Sequence, residues 1–199
     1  MATKFYLIRH GDKEKTPGDP PLSDLGNKQA KLTAQHLQIH PITKIIASPT
    51  LRTKQTAHLI ANQLSLGIET SDLLKERSNW GDNPKQSFHD FLAMWIKSSR
   101  QRDWQPDVGD SSFCSGKRLE KLICNLSQQP DQHIALVTHG GIIADFLRNV
   151  FTINELGQFV GNLGFELYDS IKECSITLVE ADPTQQQFKL IKFADTSHL

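Results

Sequence analysis

The sequence predicts an α/β fold in which a mostly parallel sheet is covered by helices on both faces. Three observations carry that expectation. Residues 5–8, 42–47 and 134–138 are short apolar runs without the alternation of a half-solvated strand, as strands buried on both faces require. Between them lie segments whose apolar residues recur at helical spacing. Each run also stops at a glycine, a proline or a charged residue. Strands alternating with helices build βαβ units, whose ligands bind outside the carboxyl ends of the strands.

In chain order, the first run ends in Arg9-His10-Gly11, and residues 18–21, with two prolines, read as a loop. Ser23 caps a helix through about Gln38, with Leu25, Ala30, Leu32, Ala34 and Leu37 as its apolar positions. The second run closes at Ser48-Pro49. Thr50 then opens a helix that turns Leu51, Ala57, Leu59, Ile60 and Leu64 inward. Residues 68–74 read as a short strand and loop. From about Arg77 to Ser112 the rhythm breaks. Trp80, Trp95 and Trp104, several basic residues and scattered Pro and Gly mark a short helical insertion over the sheet's carboxyl edge, with one helix near residues 85–100.

Ser112 or Ser115 starts the next helix, with Leu119, Leu122, Ile123 and Leu126 inward, ending before Pro130. The third run stops at His139-Gly140-Gly141 and is followed by a helix through about Val150. Residues 174–180 and 188–191 alternate apolar with polar, which predicts a hairpin around Asp182-Pro183. A single domain with its insertion over residues 77–112 accounts for all 199 residues.

Composition narrows the partners. Lys plus Arg and Asp plus Glu number 22 each, so the basic excess of a nucleic-acid binder is missing and any anion site must be a local concentration of charge. Three cysteines leave one unpaired in any disulfide scheme. Cys174 in an alternating run and Cys124 on an apolar helix face read as buried thiols, suited to a reducing cytoplasm. The four-residue apolar run near the N-terminus is too short for a signal-peptide core, and no stretch approaches the roughly 20 apolar residues of a membrane helix. The expectation is a soluble cytoplasmic protein with no nucleic-acid or membrane partner.

The chemistry sits where the runs stop. Two runs deliver a histidine followed by glycine, His10-Gly11 and His139-Gly140, and the third delivers Arg52 in the first turn of its helix. A cation there is unfavourable for the helix dipole, which hints that Arg52 serves something else. With Arg9, two arginines and two imidazoles converge at one rim. Phosphoryl transfer needs charge stabilisation over three equatorial oxygens, arginine offers bidentate donors that never lose their charge, and a neutral imidazole is a competent nucleophile. A departing alkoxide needs a proton, and a carboxyl group beside a dianion holds its proton more tightly. Glu76, after the run at 68–74, is the candidate donor. Each residue alone is ordinary, and their joint arrival carries the reading.

These residues resemble the histidine phosphatase superfamily, in its phosphoglycerate-mutase-like group. The resemblance rests on Arg9-His10-Gly11; Pro21-Leu22-Ser23 with Gly26, Gln29 and Ala30; Ala47-Ser48-Pro49 with Arg52, Gln55, Thr56 and Ala57; Leu74 with Glu76; Val137 through Gly141; and the closing Asp195-Thr196-Ser197-His198-Leu199. It implies a three-layer αβα sandwich and a metal-independent enzyme without cofactor. It also implies that His10 becomes phosphorylated, that Arg9, Arg52, His139 and the Gly140 backbone hold the phosphoryl group, and that Glu76 donates the proton. His139 followed by Gly, with no His-Asp pair, resembles the branch whose acid lies in mid-chain.

Two positions depart from that pattern. Asp12 and Thr16 stand where many members carry Glu and a phosphate-holding Asn, which leaves the Thr16 hydroxyl as a substitute donor on a charged loop. The stretch after Glu76 is short and lacks the tyrosine- and glycine-containing motif of the mutases. The expectation is therefore a phosphatase acting on a small phosphate monoester. A phosphoglycerate-type mutase or an inactive phosphate- or partner-binding module is the alternative. Lys85, Lys97, Arg100 and Arg102 read as solvated helix charges or substrate contacts, and the tryptophans as core packing or an apolar substrate wall.

Overall fold

The computed structural model describes residues 2–129, 131–160, 167–182, 184 and 187–199. Fourteen-residue helices α1 (Asp24–Leu37) and α2 (Leu51–Leu64) alternate with strands β1 (Thr3–Arg9), β2 (Lys44–Ala47) and β3 (Ile68–Thr70). A 3₁₀ turn (Asp72–Leu74) leads into a long connection that holds α3 (Phe88–Arg100). Then come α4 (Ser112–Ser127), β4 (His133–Thr138), α5 (Gly140–Val150), the short α6 (Ile153–Gly157) and α7 (Leu167–Ser170), and finally β5 (Ile176–Asp182) and β6 (Gln187–Asp195). Among the described residues the strands form one sheet in the order β3-β2-β4-β1-β5-β6. It is parallel from β3 through β1 and antiparallel in β5 and β6.

The uniform apolar runs follow from burial on both faces. In β1, Phe5 and Leu7 join the core beneath α4 and α5, whereas Tyr6 and Ile8 face α1 and α2. β4 divides likewise, with Ile134 and Leu136 on one side and Ala135 and Val137 on the other. This two-residue period gives the helix–sheet–helix layering the sequence led one to expect. The hairpin is present as the antiparallel pair β5 and β6; Pro183, proposed for its turn, lies outside the described residues.

Several local expectations are corrected. Leu25, Leu32 and Leu51 are 57%, 40% and 39% exposed. α1 instead buries Gly26, Ala30, Thr33, Ala34 and Leu37, a stripe about 130° around the helix from Leu25 and Leu32. Small residues win that face because α1 packs closely there. A Cβ on Gly26 would stand 1.9 Å from the carbonyl oxygen of Asp12, and one on Gly11 would stand 2.6 Å from that of Gly26. Cys124, expected buried, is exposed on α4 beside the buried Ile123. Cys174 is buried as expected, but its φ of 57° ends the turn before β5, so that strand begins at Ile176. No helix among the described residues is long and apolar enough to cross a membrane.

Candidate active site

β1 and β4 are hydrogen-bonded neighbours, so their carboxyl ends bring His10 and His139 together, with ring centroids 5.2 Å apart. The loop after His10 is tied down by side chains of the two helices beneath it. Thr56 accepts the Gly11 N–H, Gln29 the Asp12 N–H, and Gln55 the Leu22 N–H. These three acceptors are among the residues that carried the family resemblance, and their shared task is to hold the backbone around His10.

The hydrogen bonds fix both tautomers. His10 Nδ1 lies 2.7 Å from the Gly11 carbonyl, which can only accept, so Nδ1 carries the proton and Nε2 presents a lone pair. That lone pair accepts from Arg52 Nε at 3.1 Å. His139 is protonated on the opposite nitrogen. Its Nδ1 accepts from an Arg52 terminal amine at 3.1 Å, and its Nε2 faces the Ser48 hydroxyl at 3.0 Å. Burial, followed by Arg52 and other neighbouring cationic groups, holds both imidazoles well below the ordinary histidine range. In this arrangement His139 is a neutral hydrogen-bond partner.

Arg52 is itself buried and held at every corner. Besides the two histidines it donates to Asn79 Oδ1 at 2.6 Å and faces Asp19 at 3.4 Å. Asp19 also accepts the Leu51 N–H at 2.9 Å, so a carboxylate from the loop after β1 caps α2 where Thr50 makes no side-chain cap. That carboxylate offsets the unfavourable placement of Arg52 in a first helical turn. Arg9 pairs with Glu173 and donates to the Ile171 carbonyl at 2.6 Å, while its buried Nε has no partner among the described residues. A Cβ on Gly140 would lie 3.2 Å from Arg9 Cδ. Gly140 thus provides the bed along which Arg9 lies.

Glu76 reaches the same cavity from the connection after the 3₁₀ turn. Thr138 donates to the Leu74 carbonyl at 2.6 Å, and Arg118 holds the carbonyls of Leu73 and Lys75 at 3.0 Å each. The Glu76 carboxylate accepts N–H groups from Arg77 and Gly141, both at 2.9 Å. The start of α5 was expected to offer its N–H groups to a ligand; the Gly141 N–H is spent on Glu76. Gly141 must lack a side chain, because a Cβ would meet Glu76 Oε1 and the Trp95 ring edge at 2.6 Å each.

Behind Glu76 lies a buried polar network that sequence reasoning missed. Arg77 binds both oxygens of Asp145, at 2.9 and 3.1 Å, and stacks on Trp95 with 3.7 Å from guanidinium to ring centroid. Ser112 donates to Asp145 at 2.5 Å, and Arg102 binds the Asp145 and Arg148 carbonyls. Burial pushes Asp145 up to about 6, against the pull of Arg77 and Ser112.

The resulting cavity of about 700 Å³ is lined by Arg9, His10, Arg52, Glu76, His139 and Gly140, with Thr16 on its exposed outer side. Trp80 and Trp95 line it as well, and Trp104 does not; it packs under the Lys97 ammonium, 4.0 Å from its ring centroid. Lys85, Lys97, Arg100 and Arg102 all lie outside the lining. Metal-ligand spacing occurs elsewhere among the described residues, at His36, Asp195 and His198. There the two rings stack 23° apart, Thr33 already engages His198 Nε2 at 3.0 Å, and Lys192 binds Asp195 at 2.7 Å.

Comparisons with known proteins agree with this geometry. The family model of the histidine phosphatase superfamily (branch 1) matches residues 5–194. The probable phosphoglycerate mutase GpmB of Yersinia pestis (strain Pestoides F) is 38% identical over 150 residues, 69% of this chain and 69% of that protein. A mycobacterial glucosyl-3-phosphoglycerate phosphatase shares the fold at a TM-score of 0.73 and 20% identity, over 98% of this chain and 100% of that one. Phosphoserine phosphatase from Entamoeba histolytica, solved with 3-phosphoglyceric acid, shares it at 0.73 and 24%, over 99% of each. The chain belongs to the histidine phosphatase superfamily, branch 1, a group of phosphatases and mutases.

Proposed function

We propose that the chain is a metal-independent phosphatase that hydrolyses phosphate monoesters through phosphohistidine at His10. The observation that carries the reading is the His10 tautomer: the Gly11 carbonyl locks the proton on Nδ1, leaving a neutral, nucleophilic Nε2 between two guanidiniums. In the first step the Nε2 lone pair forms a bond to phosphorus as the ester P–O bond breaks. Arg52 passes its Nε–H from His10 to a phosphoryl oxygen, and the Arg9 Nε–H, without a partner among the described residues, is given to another. An arriving dianion favours protonation of His139, which then donates through Nδ1, with Thr16 and the Gly140 backbone as outer contacts. Glu76 in its acid form gives its proton to the leaving alkoxide. In the second step the Glu76 carboxylate takes a proton from water, whose oxygen bonds to phosphorus as the P–N bond breaks, and inorganic phosphate departs.

Turnover of p-nitrophenyl phosphate in the presence of chelator tests this directly. The intact chain hydrolyses the ester, and His10→Ala loses at least about 10³-fold, the scale for removing a nucleophile. No hydrolysis between mildly acid and neutral pH rules the phosphatase out, and a need for added metal rules out metal independence. A mutase is the second reading, favoured by the 38% identity to proteins named probable phosphoglycerate mutase. Efficient isomerisation of 3-phosphoglycerate with a bisphosphoglycerate primer would establish it.

A further inference from the structure

The wall across from the phosphoryl groups is apolar, and a single helix supplies most of it. α3 carries Phe88, Leu92 and Ile96 at i, i+4 and i+8, one face of a helix, and leaves them 51%, 41% and 37% exposed. A helix in a globular protein ordinarily buries such a stripe in the core. Here α3 buries Ser98 and Ser99, and the apolar stripe lines the cavity beside Trp95. No cation of α3 or its flanks, among the described residues, joins that lining.

Trp95 marks where this wall meets the chemistry. Its ring edge and the Glu76 carboxylate both press on the space a Gly141 side chain would fill. An oxygen protonated by Glu76 therefore departs directly against Trp95. That ring is pinned, with Arg77 over its face and Tyr168 edge-on at 5.7 Å between centroids. The group attached to the departing oxygen thus runs along α3.

We propose that the alcohol portion of the substrate is aromatic or otherwise planar and apolar, seated on Phe88, Leu92 and Trp95 while its phosphoryl group meets His10. The inference rests on the phosphatase reading and specifies its substrate class. A phosphoester carrying a second anion, such as phosphoglycerate, leaves this wall wet; the lysines that line the cavity beside the arginines, Lys13 and Lys15, come from the loop after β1 and not from α3.

The test compares kcat/KM of the full chain for 2-(1-naphthyl)ethyl phosphate, ethyl phosphate and 3-phosphoglycerate. The first two release primary alkanols, so the chemical step makes the same demand on Glu76 and only the wall distinguishes them. Burial of the ring gives naphthylethyl phosphate an advantage on the order of 50-fold over ethyl phosphate. Phe88→Ala and Leu92→Asp, both at exposed positions, each reduce that advantage to about 5-fold. Equal turnover of the two alkyl esters, or preference for 3-phosphoglycerate, overturns the substrate class and leaves phosphatase activity standing. An advantage undiminished in both variants overturns the seat on α3. No turnover of these esters or of p-nitrophenyl phosphate overturns both readings together.

Discussion

Replacing Gly141 with alanine challenges the role of Glu76 with one methyl group. The added Cβ falls 2.6 Å from Glu76 Oε1, 2.8 Å from Oε2 and 2.6 Å from Trp95 Cη2, whereas ordinary contact begins near 3.4 Å. Trp95, held by Arg77 and Tyr168, must tilt at its ring edge, and the carboxylate must retreat by the difference of about 0.8 Å. That retreat ends its 2.9 Å bond to the residue-141 N–H. Displacing a proton donor by such a distance costs about 10²-fold in rate. Alanine is the better helix former, which offsets part of the cost of moving the Trp95 ring edge. The assay compares two leaving groups. kcat/KM for ethyl phosphate, whose alkoxide must be protonated, falls about 100-fold, while p-nitrophenyl phosphate, whose phenolate departs unaided, stays within about 5-fold. Equal losses on both esters, or an undiminished rate on ethyl phosphate, refute Glu76 as the donor.

Three further expectations follow from the same contacts. In an NMR titration His10 has its midpoint below 6.5, because burial, then Arg52 and Arg9, disfavour the imidazolium. Neutral nucleophile therefore persists as pH falls through the ordinary histidine range and is lost only beneath it. Arg52→Gln moves that midpoint upward, and a wild-type midpoint at or above 6.5 would falsify the account. Arg77→Met or Asp145→Leu alone strands a buried charge and costs about 3–5 kcal/mol in urea unfolding, while the double variant recovers most of it; simply additive losses would show the pair uncoupled. Asp19→Ala removes the carboxylate that accepts the Leu51 N–H and costs about 1 kcal/mol by thermal melting, with an unchanged melting temperature as the contrary result.

What the sequence disclosed and what it withheld have physical causes. Arg9, His10, Arg52 and His139 stand out because each follows an apolar run, and a parallel sheet must place the ends of such runs together. Gln29, Gln55 and Thr56 were visible as matches to a family, but their work on the loop backbone appears only once the helices are docked beneath it. Asp19, Ser48 and Asn79 carry no periodic signal: each is a lone polar residue in a turn whose partner is set by tertiary packing. Arg77 and Asp145 sit 68 positions apart and read as ordinary surface charges, since nothing local announces that α5 is buried almost throughout. Leu25 and Leu32 misled because apolar content marks a helix without saying which of two faces a close neighbour will take.

The position of β1 in the sheet sets a gradient of local stability through the cavity. β1 is bonded on both edges, to β4 and β5, so freeing the backbone next to His10 means dismantling the centre of the molecule. The first turns of α3, where Phe88 and Leu92 are exposed, can fray at little cost, while its last turns are held at Trp95 and Ser99 by Arg77 and Arg148. Amide exchange near β1 accordingly tracks global unfolding, and exchange in the first turns of α3 tracks small local openings. The floor of the cavity is thus as durable as the fold, while the outer end of its apolar wall can adjust to whatever enters, without disturbing the atom that performs the attack.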